Sequence, residues 1–337
     1  MNKVRIGSVG LGRLGLRHAE NIANKIQNAE LAALCDINEA ALREQSARLG
    51  VKNYYTDFNA MIANKDIDAV FIVSPSALHT GQIAAALDAG KHVFSEKPLG
   101  TTIEECKNAE KAVMAHKDKV FMLGFMRRFD ESYRYAYKKV MAGEIGKPVL
   151  FRAYSQDPEK FIEGAIAFAP HSGGEFIDMC VHDIDLARWF TGSEPQSVYA
   201  IGGCYAHPEF GKYADGDNVC ALMKFKNNCM VFLFAGRTAP HGYNVETEII
   251  GTKGILRIAS VPQKNLVEVL DSGGVRRECH ENFLERFENA YVLEAQQFVD
   301  CIREGRKSEV TVQDGVRVLE IAGKCKQAFE TGELLKF

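Results

Sequence analysis

The sequence predicts an α/β protein of two domains, and three observations support this fold class. The chain has 337 residues, 46% of them hydrophobic and 25% charged, which is enough apolar material for two cores. Its N-terminal part alternates short β-rich runs with helical stretches, as in a doubly wound parallel sheet. Further along, strands outnumber helices and follow one another through short turns, as in a large, mostly antiparallel sheet. We therefore place the domains at residues 1–124 and 125–337.

The predicted elements of the first domain alternate in type along the chain. Strands are expected at 4–9, 29–35, 69–74, 92–95 and 120–124. Helices are expected from residue 12, from residue 38, over 76–89 and over 103–117. Because parallel strands need crossover connections, this alternation predicts a doubly wound domain of about six strands.

The second domain has a different pattern. A bridging helix near 131–141 and a turn at 143–148 lead into it. Its expected strands are 148–155, 196–202, 219–225, 229–234, 245–250, 255–258 and 266–270. Its expected helices are about 174–190, about 284–304 and 312–331. The last of these helices follows the sheet and could pack on either domain.

Charge and hydropathy exclude several classes of partner. The formal net charge is −3 and the isoelectric point is about 6.3, so the surface has no basic excess to attract nucleic acid or anionic lipid. No apolar run approaches the length of a bilayer span, and the N-terminus enters a strand pattern at once, without a signal peptide. We therefore expect a cytoplasmic protein with no nucleic-acid and no membrane partner.

The nine cysteines are scattered singly along the chain, without a C-x-x-C pair. A disulfide framework or a structural zinc site would bring cysteines or other ligands together at short, fixed spacings. We therefore expect reduced cysteines that act as small core residues, and no metal site.

A glycine-rich loop follows the first predicted strand directly. Gly10, Gly12 and Gly15 fit the G-x-G-x-x-G pattern, with Arg13 and Leu14 between the last two glycines. These glycines allow a tight turn and let amides at the helix N-terminus approach a pyrophosphate. Such glycines could also serve only a tight turn, but here the strand, the helix and a following acidic strand end are in register. The motif therefore predicts a Rossmann domain that binds a dinucleotide.

The cofactor preference is predicted from Asp36, which closes the second strand. It lies about 20 residues beyond Gly15, where an acidic residue binds the ribose hydroxyls of such a cofactor. A carboxylate at this position would also repel a 2′-phosphate. We therefore predict NAD as the cofactor, in preference to NADP.

A lysine stands at the end of the fifth strand, in Ser95-Glu96-Lys97-Pro98. Open α/β sheets place their ligands at these strand ends, so Lys97 is directed towards the nicotinamide end of the cofactor. An ammonium group there can donate to a substrate oxygen and favour its deprotonation as hydride leaves. The alternative is a solvated loop lysine, although the proline that follows restricts the backbone of Lys97.

The acidic segment 178–190 supplies a second candidate group. Asp178 and His182 are four residues apart, on one face if the helix has begun by then. A histidine can accept a hydroxyl proton at neutral pH, and a carboxylate can fix its tautomer and support the imidazolium. The alternative is an ordinary surface histidine flanked by acids. Asp183 points away from that face and is assigned a structural role, while Asp185 lies closer to it and is left open.

Taken together, these motifs resemble the glucose-fructose oxidoreductase and inositol dehydrogenase family along nearly the whole chain. Five separated motifs coincide in order, which makes chance agreement implausible. They are Gly10 to Arg13 with His18; Ala89 to Val93 before Glu96-Lys97-Pro98; Gly124 to Asp130; Gly173-Gly174 before Asp178 to Trp189; and Glu248 to Gly254.

The resemblance implies a C-terminal α/β domain whose open sheet shapes the substrate pocket and commonly forms the interface of a homotetramer. It implies that Lys97, Asp178 and His182 are the catalytic group and also bind substrate, and that the Lys97-Pro98 peptide bond is cis. It further implies cofactor contacts from residues at the strand ends, with Arg127 also reaching the substrate. These cofactor residues are Ser74, Pro75, His79, Glu96, Lys97, Met126 and Arg127.

Within the family, the chain is most similar to inositol 2-dehydrogenases, notably in residues 13–21 and 242–246. This similarity implies that Tyr243 reaches a substrate hydroxyl. The segment 155–158 departs from the His-x-Asn form of some myo-inositol enzymes, but Asp157 falls at the matching strand end. As an acceptor, Asp157 could hold two adjacent hydroxyls of a polyol substrate.

The expected reaction is oxidation of a secondary ring hydroxyl of myo- or scyllo-inositol to an inosose. His182 would take the hydroxyl proton, Asp178 would orient His182, and Lys97 would donate to the developing alkoxide. An aldose, a sugar acid or another cyclitol could be the substrate of the same group. A dinucleotide-sensing protein without catalysis, or an enzyme that cleaves glycosides through transient oxidation, are further alternatives.

Overall fold

A six-stranded parallel sheet forms the centre of the N-terminal part in the computed structural model, which describes residues 3–337. The strands are β1 Val4–Val9, β2 Ala29–Cys35, β3 Asn53–Tyr55, β4 Ala69–Ile72, β5 His92–Glu96 and β6 Phe121–Gly124. Their order across the sheet is β3-β2-β1-β4-β5-β6, and all neighbours pair in parallel. The predicted doubly wound sheet is confirmed, and β3 is the sixth strand, which the sequence pattern did not place.

A seven-stranded mixed sheet forms the centre of the second part. Its strands are β7 Pro148–Pro158, β8 Pro195–Gly203, β9 Asn218–Phe225, β10 Met230–Ala239, β11 Asn244–Gly251, β12 Ile255–Ile258 and β15 Leu335–Lys336. Two further strands, β13 Val269–Asp271 and β14 Gly274–Arg276, form a separate hairpin. The order is β12-β11-β7-β10-β9-β8-β15, with β7 and β10 parallel and the other neighbours antiparallel. The predicted mostly antiparallel sheet is confirmed.

The helices of the described residues accompany both sheets. They are α1 Arg13–Asn24, α2 Glu39–Leu49, α3 Phe58–Ile62, α4 Ser76–Asp88, α5 Ile103–Ala115, α6 Glu131–Met141, α7 Ile162–Ser172, α8 Glu175–Asp178, α9 Val181–Thr191, α10 Phe283–Arg286, α11 Glu288–Glu304 and α12 Val312–Thr331. Local chemistry fixes several of their starts. Asn38 caps α2, and Thr102 with Glu105 forms a capping box at α5, which satisfies free amides of the first turn.

The chain divides into two compact units. The first contains the chain through Phe129 together with Asn289–Leu319, and the second contains Asp130–Glu288 with Glu320–Phe337. The domain boundary predicted at residue 124 differs from this grouping. The predicted boundary assigns all of α11 and α12 to the second domain, whereas Asn289–Leu319 belong to the first unit. In the first unit, Gly315 of α12 packs so closely on Leu123 that an added Cβ would lie 2.7 Å from its side chain.

Three predicted elements differ in the structure. The continuous helix over 174–190 is wrong, because the Cys180 N–H bonds to the Glu175 carbonyl, a wide turn that separates α8 from α9. The predicted strand 266–270 is not part of the large sheet, since β13 pairs only with β14 in an exposed hairpin. The predicted helix 284–304 is interrupted at Phe287, which leaves helical geometry between α10 and α11.

Most of the cysteines are buried, as expected for small core residues. All nine are free thiols, six of them buried and three partly buried. Burial raises the pKa of the Cys35, Cys106 and Cys325 thiols to about 12, so these groups stay neutral and inert. Among the described helices, none combines the length and the hydropathy needed to cross a membrane.

Candidate active site

The carboxyl ends of four neighbouring strands lie at one edge of the parallel sheet. Val9 of β1 is opposite Ile72 of β4, Ile72 is opposite Ser95 of β5, and Glu96 is opposite Gly124 of β6. The strand order reverses between β1 and β4, and open α/β sheets bind ligands at such a switch point. All predicted cofactor residues except Asp36, which follows β2, lie at these strand ends or in the loop or first helical turn that comes after them.

The glycine loop connects β1 to α1 with little space on the protein side. Gly10 has φ +89°, a left-handed conformation, and a Cβ there would overlap the Val73 carbonyl. A Cβ on Gly15 would overlap the carbonyl of Gly10. By contrast, a Cβ on Gly12 would meet no described atom within 4 Å. The open side at Gly12 leaves room for a pyrophosphate above the N-terminus of α1, so the loop fits a dinucleotide.

Asp36 follows β2 and faces the same loop. Its Oδ2 accepts a hydrogen bond from the Leu11 amide at 2.7 Å, and its Oδ1 accepts one from the Asn38 amide at 2.9 Å. A carboxylate can accept about four hydrogen bonds, so it keeps capacity for ribose hydroxyls. The geometry therefore fits the ribose role predicted for Asp36.

His79 links the segments that follow β4 and β5. Its ring nitrogens lie 2.8 Å from the carbonyl oxygens of Ser74 and Pro98. Burial lowers the pKa of His79 below its ordinary value, which favours the neutral imidazole. Ser74 donates its hydroxyl to Gln82 at 2.5 Å, and Pro75 directly precedes α4. The structure thus brings these three predicted cofactor residues together at the switch-point edge.

Lys97 lies directly after β5 and is half-buried. Its backbone N–H donates to Glu96 Oε2 at 3.1 Å, and the Lys97-Pro98 bond is cis, as the resemblance implies. Glu96 is buried, and its other carboxylate oxygen contacts His18 of α1. The carboxylate of Glu96 is therefore engaged within the protein, although a cofactor role was predicted for this residue.

Met126 and Arg127 lie on a 3-10 turn, Met126–Phe129, that follows β6, and both are buried. The next residue, Arg128, is anchored at 3.2 Å from Asp314 of α12. This anchoring fixes the turn beside the edge that carries Lys97. The individual contacts of Met126 and Arg127 with a cofactor or substrate stay predictions.

In the second unit, Asp178 forms an ion pair that the sequence did not reveal. Its Oδ2 accepts a hydrogen bond from Arg237 Nη2 of β10 at 2.9 Å. The Arg237 side chain is 5% exposed and that of Asp178 is 24% exposed, so the pair is largely shielded from solvent. The charges of the Asp178 carboxylate and the Arg237 guanidinium therefore act on neighbouring groups with little screening by solvent.

Glu175 adds a buried acid to this ion pair. Burial raises the pKa of Glu175 well above its ordinary value, and the charges of Asp215, Asp157 and Asp178 add to that shift against the opposing effect of Arg237. Burial opposes the charge of Arg237, but the charge of Asp178 and its hydrogen bond outweigh this effect and raise the pKa of Arg237 above its ordinary value. Burial therefore favours the neutral form of Glu175, while the permanent cation of Arg237 favours the ionised form of Asp178.

His182 occupies the first turn of α9 and is 7% exposed. Because α8 ends at Asp178 and α9 begins at Val181, Asp178 and His182 do not share one continuous helix. Asp183 is fully buried, and its Oδ2 accepts a hydrogen bond from the Ser155 hydroxyl at 2.6 Å. The structural role predicted for Asp183 agrees with this contact, which ties α9 to β7.

Asp157 and Tyr243 lie at the same end of the large sheet. Gln156 of β7 is opposite both Asn244 of β11 and Gly236 of β10. In the chain, Asp157 is next to Gln156, Tyr243 is next to Asn244, and Arg237 is next to Gly236. The sheet register therefore brings both predicted substrate residues to the strand end that carries Arg237.

Glu175 of α8 and Arg237 of β10, which surround Asp178, were missed from the sequence. Glu175 follows the glycine pair of the family motif, three residues before Asp178, so it could have been found. Arg237 carries no local signal, because only the packing of α8 against β10 brings it near Asp178. Contacts between distant segments are the part of a site that spacing does not reveal.

Comparison with known families covers both units. Residues 4–125 match the oxidoreductase family with an NAD-binding Rossmann fold. Residues 133–257 match the GFO/IDH/MocA C-terminal domain. The two matches follow one another along the chain, in the same order as the two domains predicted from the sequence.

Individual relatives resemble the chain over nearly its whole length. Scyllo-inositol 2-dehydrogenase (NAD(+)) from Bacillus subtilis is 34% identical over 335 residues, which cover 98% of this chain and 95% of the relative. The crystal structure of scyllo-inositol dehydrogenase from Lactobacillus casei with bound NAD(H) and scyllo-inositol is 47% identical, has a TM-score of 0.96 and covers 99% of both chains. The structure of myo-inositol 2-dehydrogenase from Lactobacillus plantarum is 40% identical, has a TM-score of 0.97 and covers 100% of both chains.

Proposed function

The chain belongs to the GFO/IDH/MocA oxidoreductase family, and we propose that it oxidises a secondary ring hydroxyl of myo- or scyllo-inositol to the inosose. The observation that carries this proposal is the similarity, along both units, to dehydrogenases named for these two inositols. Its first unit is an NAD-binding Rossmann domain, and NAD supplies the hydride acceptor for such an oxidation. The open side at Gly12 and the free acceptor capacity of Asp36 support this cofactor.

His182 acts as the general base in the proposed reaction. It accepts the proton of the substrate hydroxyl while the hydride leaves the same ring carbon, so the alcohol loses two electrons and two hydrogens. Asp178 orients His182 and stabilises the imidazolium that forms. Lys97 donates a hydrogen bond to the substrate oxygen, an interaction that strengthens as negative charge develops.

Arg237 maintains the state of Asp178 that this role requires. A carboxylate must be ionised to support an imidazolium, and the guanidinium 2.9 Å away favours the ionised form of Asp178. The neutral Glu175 beside the pair avoids a second negative charge. The ion pair with Arg237 thus favours the ionised Asp178 that a protonated His182 would need as its partner.

Asp157 and Tyr243 are proposed to bind the substrate hydroxyls that do not react. A carboxylate can accept hydrogen bonds from two adjacent ring hydroxyls, and a tyrosine hydroxyl can donate or accept. Their common place at the end of β7 and β11 supports this assignment. Arg127 is proposed as a further contact to the substrate and to the cofactor, and the remaining cofactor contacts follow the assignment made from the sequence.

The test of this function is the initial rate of NADH formation with a panel of polyols and sugars. Myo-inositol, scyllo-inositol, D-chiro-inositol, glucose and xylose are compared at saturating NAD, and the preferred substrate is then assayed with NADP. We expect one of the first two inositols to give the highest kcat/KM, and NAD to be preferred. A preference for an aldose would replace the substrate assignment, and NAD binding without turnover of any compound would contradict the enzyme assignment.

The open face of the large sheet is proposed as the contact between copies of this chain in a homotetramer. Apolar side chains on this face remain half-exposed, including Leu222 at 53% and Ile201 at 51%. Leu222 lies between Tyr199 and Phe232 on neighbouring strands, so these side chains form one continuous apolar patch. Contiguous exposed apolar patches mark interaction surfaces.

The nine free thiols support the cytoplasm as the compartment.

A further inference from the structure

Three ionisable side chains form a buried cluster inside the first unit. His18 of α1, Glu96 at the end of β5 and Glu294 of α11 are each at most 3% exposed. His18 Nε2 lies 2.7 Å from Glu96 Oε1 and 4.0 Å from Glu294 Oε1. This cluster, which we call the His18 cluster, lies directly behind Lys97.

The spacing of the His18 cluster indicates a hydrogen bond and not a cation site. One atom from each of the three side chains lies within 4.8 Å of the other two, as in a metal site. Two ligands of a tetrahedral zinc ion, each about 2.1 Å from the metal, would lie about 3.4 Å apart. The observed 2.7 Å between His18 Nε2 and Glu96 Oε1 is instead the distance of a charge-assisted hydrogen bond.

The surroundings of His18 are otherwise apolar. Its ring lies 5.6 Å from Phe71, 5.4 Å from Phe94 and 5.5 Å from Tyr291, measured between ring centroids. Among the described residues, neither carboxyl oxygen of Glu294 has a hydrogen-bond partner. In such a cage, a carboxylate needs donors close to it, and for Glu96 these are His18 and the Lys97 amide.

Glu294 contributes by remaining protonated. Burial and the charge of Glu96 raise the pKa of Glu294 well above its ordinary value, which favours its neutral, protonated form. An ionised Glu294 would attract the same His18 proton that Glu96 now accepts. Its neutral form leaves Glu96 as the sole carboxylate that accepts this proton within the cluster.

We propose that His18 is a positioning residue for Lys97, acting through Glu96, with Glu294 as its neutral partner. His18 holds Glu96 Oε1, and Glu96 Oε2 holds the backbone N–H of Lys97 at 3.1 Å. The space is tight, because a Cβ on Gly124 would lie 3.1 Å from the Glu96 carboxylate. The carboxylate therefore transmits its fixed orientation to the backbone of Lys97. This inference rests on the proposed function, in which Lys97 donates to the substrate oxygen.

The test compares His18→Phe, which fills the aromatic cage without a donor, with His18→Gln, whose side-chain amide can donate in place of Nε2. In the full-length enzyme we expect His18→Phe to lower kcat by about ten- to a hundredfold, because small misplacements of a reacting group are costly. The dissociation constant of NADH, measured by fluorescence, is expected to change by less than about threefold, and His18→Gln to recover most of the kcat.

A second readout does not depend on turnover. Trace acetylation with acetic anhydride, followed by mass spectrometry, gives the labelling rate of Lys97 relative to Lys111, which lies exposed on α5. Because Lys97 is half-buried, a loosened backbone should expose it, and we expect the ratio to rise by about twofold or more in His18→Phe. In His18→Gln the ratio should return towards the wild-type value.

Three results would overturn the inference. One is a His18→Phe enzyme with wild-type kcat and labelling ratio. Another is an equal loss of kcat, NADH binding and melting temperature in both variants, which would mean a purely structural role. A third is a Glu294→Gln enzyme whose kcat falls as much as that of His18→Phe. Glutamine resembles a neutral glutamic acid, so the inference expects this substitution to have little effect on kcat. If the wild-type protein oxidises no polyol, the proposed function fails, and the labelling ratio alone decides this inference.

Discussion

At the scale of single residues, the environment of each ionisable group determines what that group can do. Glu175 and Asp178 are three residues apart, yet burial keeps Glu175 protonated while Arg237 favours the ionised form of Asp178. Near His18, burial and the charge of Glu96 likewise raise the pKa of Glu294 and favour its neutral form. In both units, a neutral acid next to an ionised one avoids the cost of two buried negative charges.

A residue-scale prediction concerns the proposed base. His182→Ala should lower kcat by about a hundredfold to ten-thousandfold, because general-base catalysis contributes on that scale. The dissociation constant of NADH, measured by fluorescence, should stay close to the wild-type value, since His182 lies outside the Rossmann unit. His171→Ala, which removes an exposed histidine of α7, is the matched control and should leave kcat unchanged. Equal losses of kcat and NADH affinity would count against a catalytic role for His182.

At the scale of elements, short helices and their interruptions position the candidate groups. α8 has only four residues, and its start after Gly173 and Gly174, both at positive φ, places Glu175 in the interior. The Glu175 amide donates to Asp215 Oδ1 at 2.9 Å, which anchors this start. The turn between α8 and α9 then sets Asp178 and His182 on separate helices, so their relation depends on this turn and not on a helical period.

An element-scale prediction follows from the raised pKa of Glu175. A raised folded-state pKa gives a stabilising contribution that is complete below the unfolded pKa, near 4.5, and is lost as pH rises through the folded value. Glu175→Gln cannot ionise and therefore escapes this loss. We therefore compare the melting temperatures of Glu175→Gln and the wild type at pH 5 and at pH 8. The difference, variant minus wild type, should be larger at pH 8 by about 2 °C or more. A difference that is constant over this range would show that Glu175 does not titrate as inferred.

At the scale of the whole molecule, the two units have sheets of different character. Strands of the parallel sheet are mostly buried on both faces, as β4 and β6 show, because crossover helices cover a doubly wound sheet. Strands of the large sheet alternate between buried and exposed side chains, as β9 and β10 do. Only the second sheet therefore offers an apolar face to another chain.

A molecule-scale prediction tests this face. Leu222→Lys places a charge at the centre of the patch and should break the proposed tetramer into smaller species, because a buried unpaired charge is costly. The control is Met141→Lys, which changes a residue of nearly equal exposure, 54% against 53%, at the end of α6. Light scattering coupled to size-exclusion chromatography gives the mass of each variant. A Leu222→Lys protein of wild-type mass would place the contact elsewhere.

Much of the fold could be predicted from the sequence, because its signals are local. The bounds of β1, β2, α6, β12 and α12 agree with the predicted ones, since hydrophobic periodicity and turn residues act within a few positions. The glycine loop was equally readable, as its function needs three glycines at fixed spacing after a strand. By contrast, β3, α3 and α7 were not placed from the sequence. β3 has only three residues, and it is identified by its pairing with β2 and not by its own pattern.

The sequence by itself determined the fold class, the dinucleotide loop and the candidate residues Lys97, Asp178 and His182, because each follows from spacing along the chain. Tertiary structure decided which side chains surround them. The contact of Arg237 with Asp178 spans 59 positions, and that of His18 with Glu96 spans 78. Burial, which sets the protonation of Glu175 and Glu294, likewise arises only when distant segments pack and exclude water.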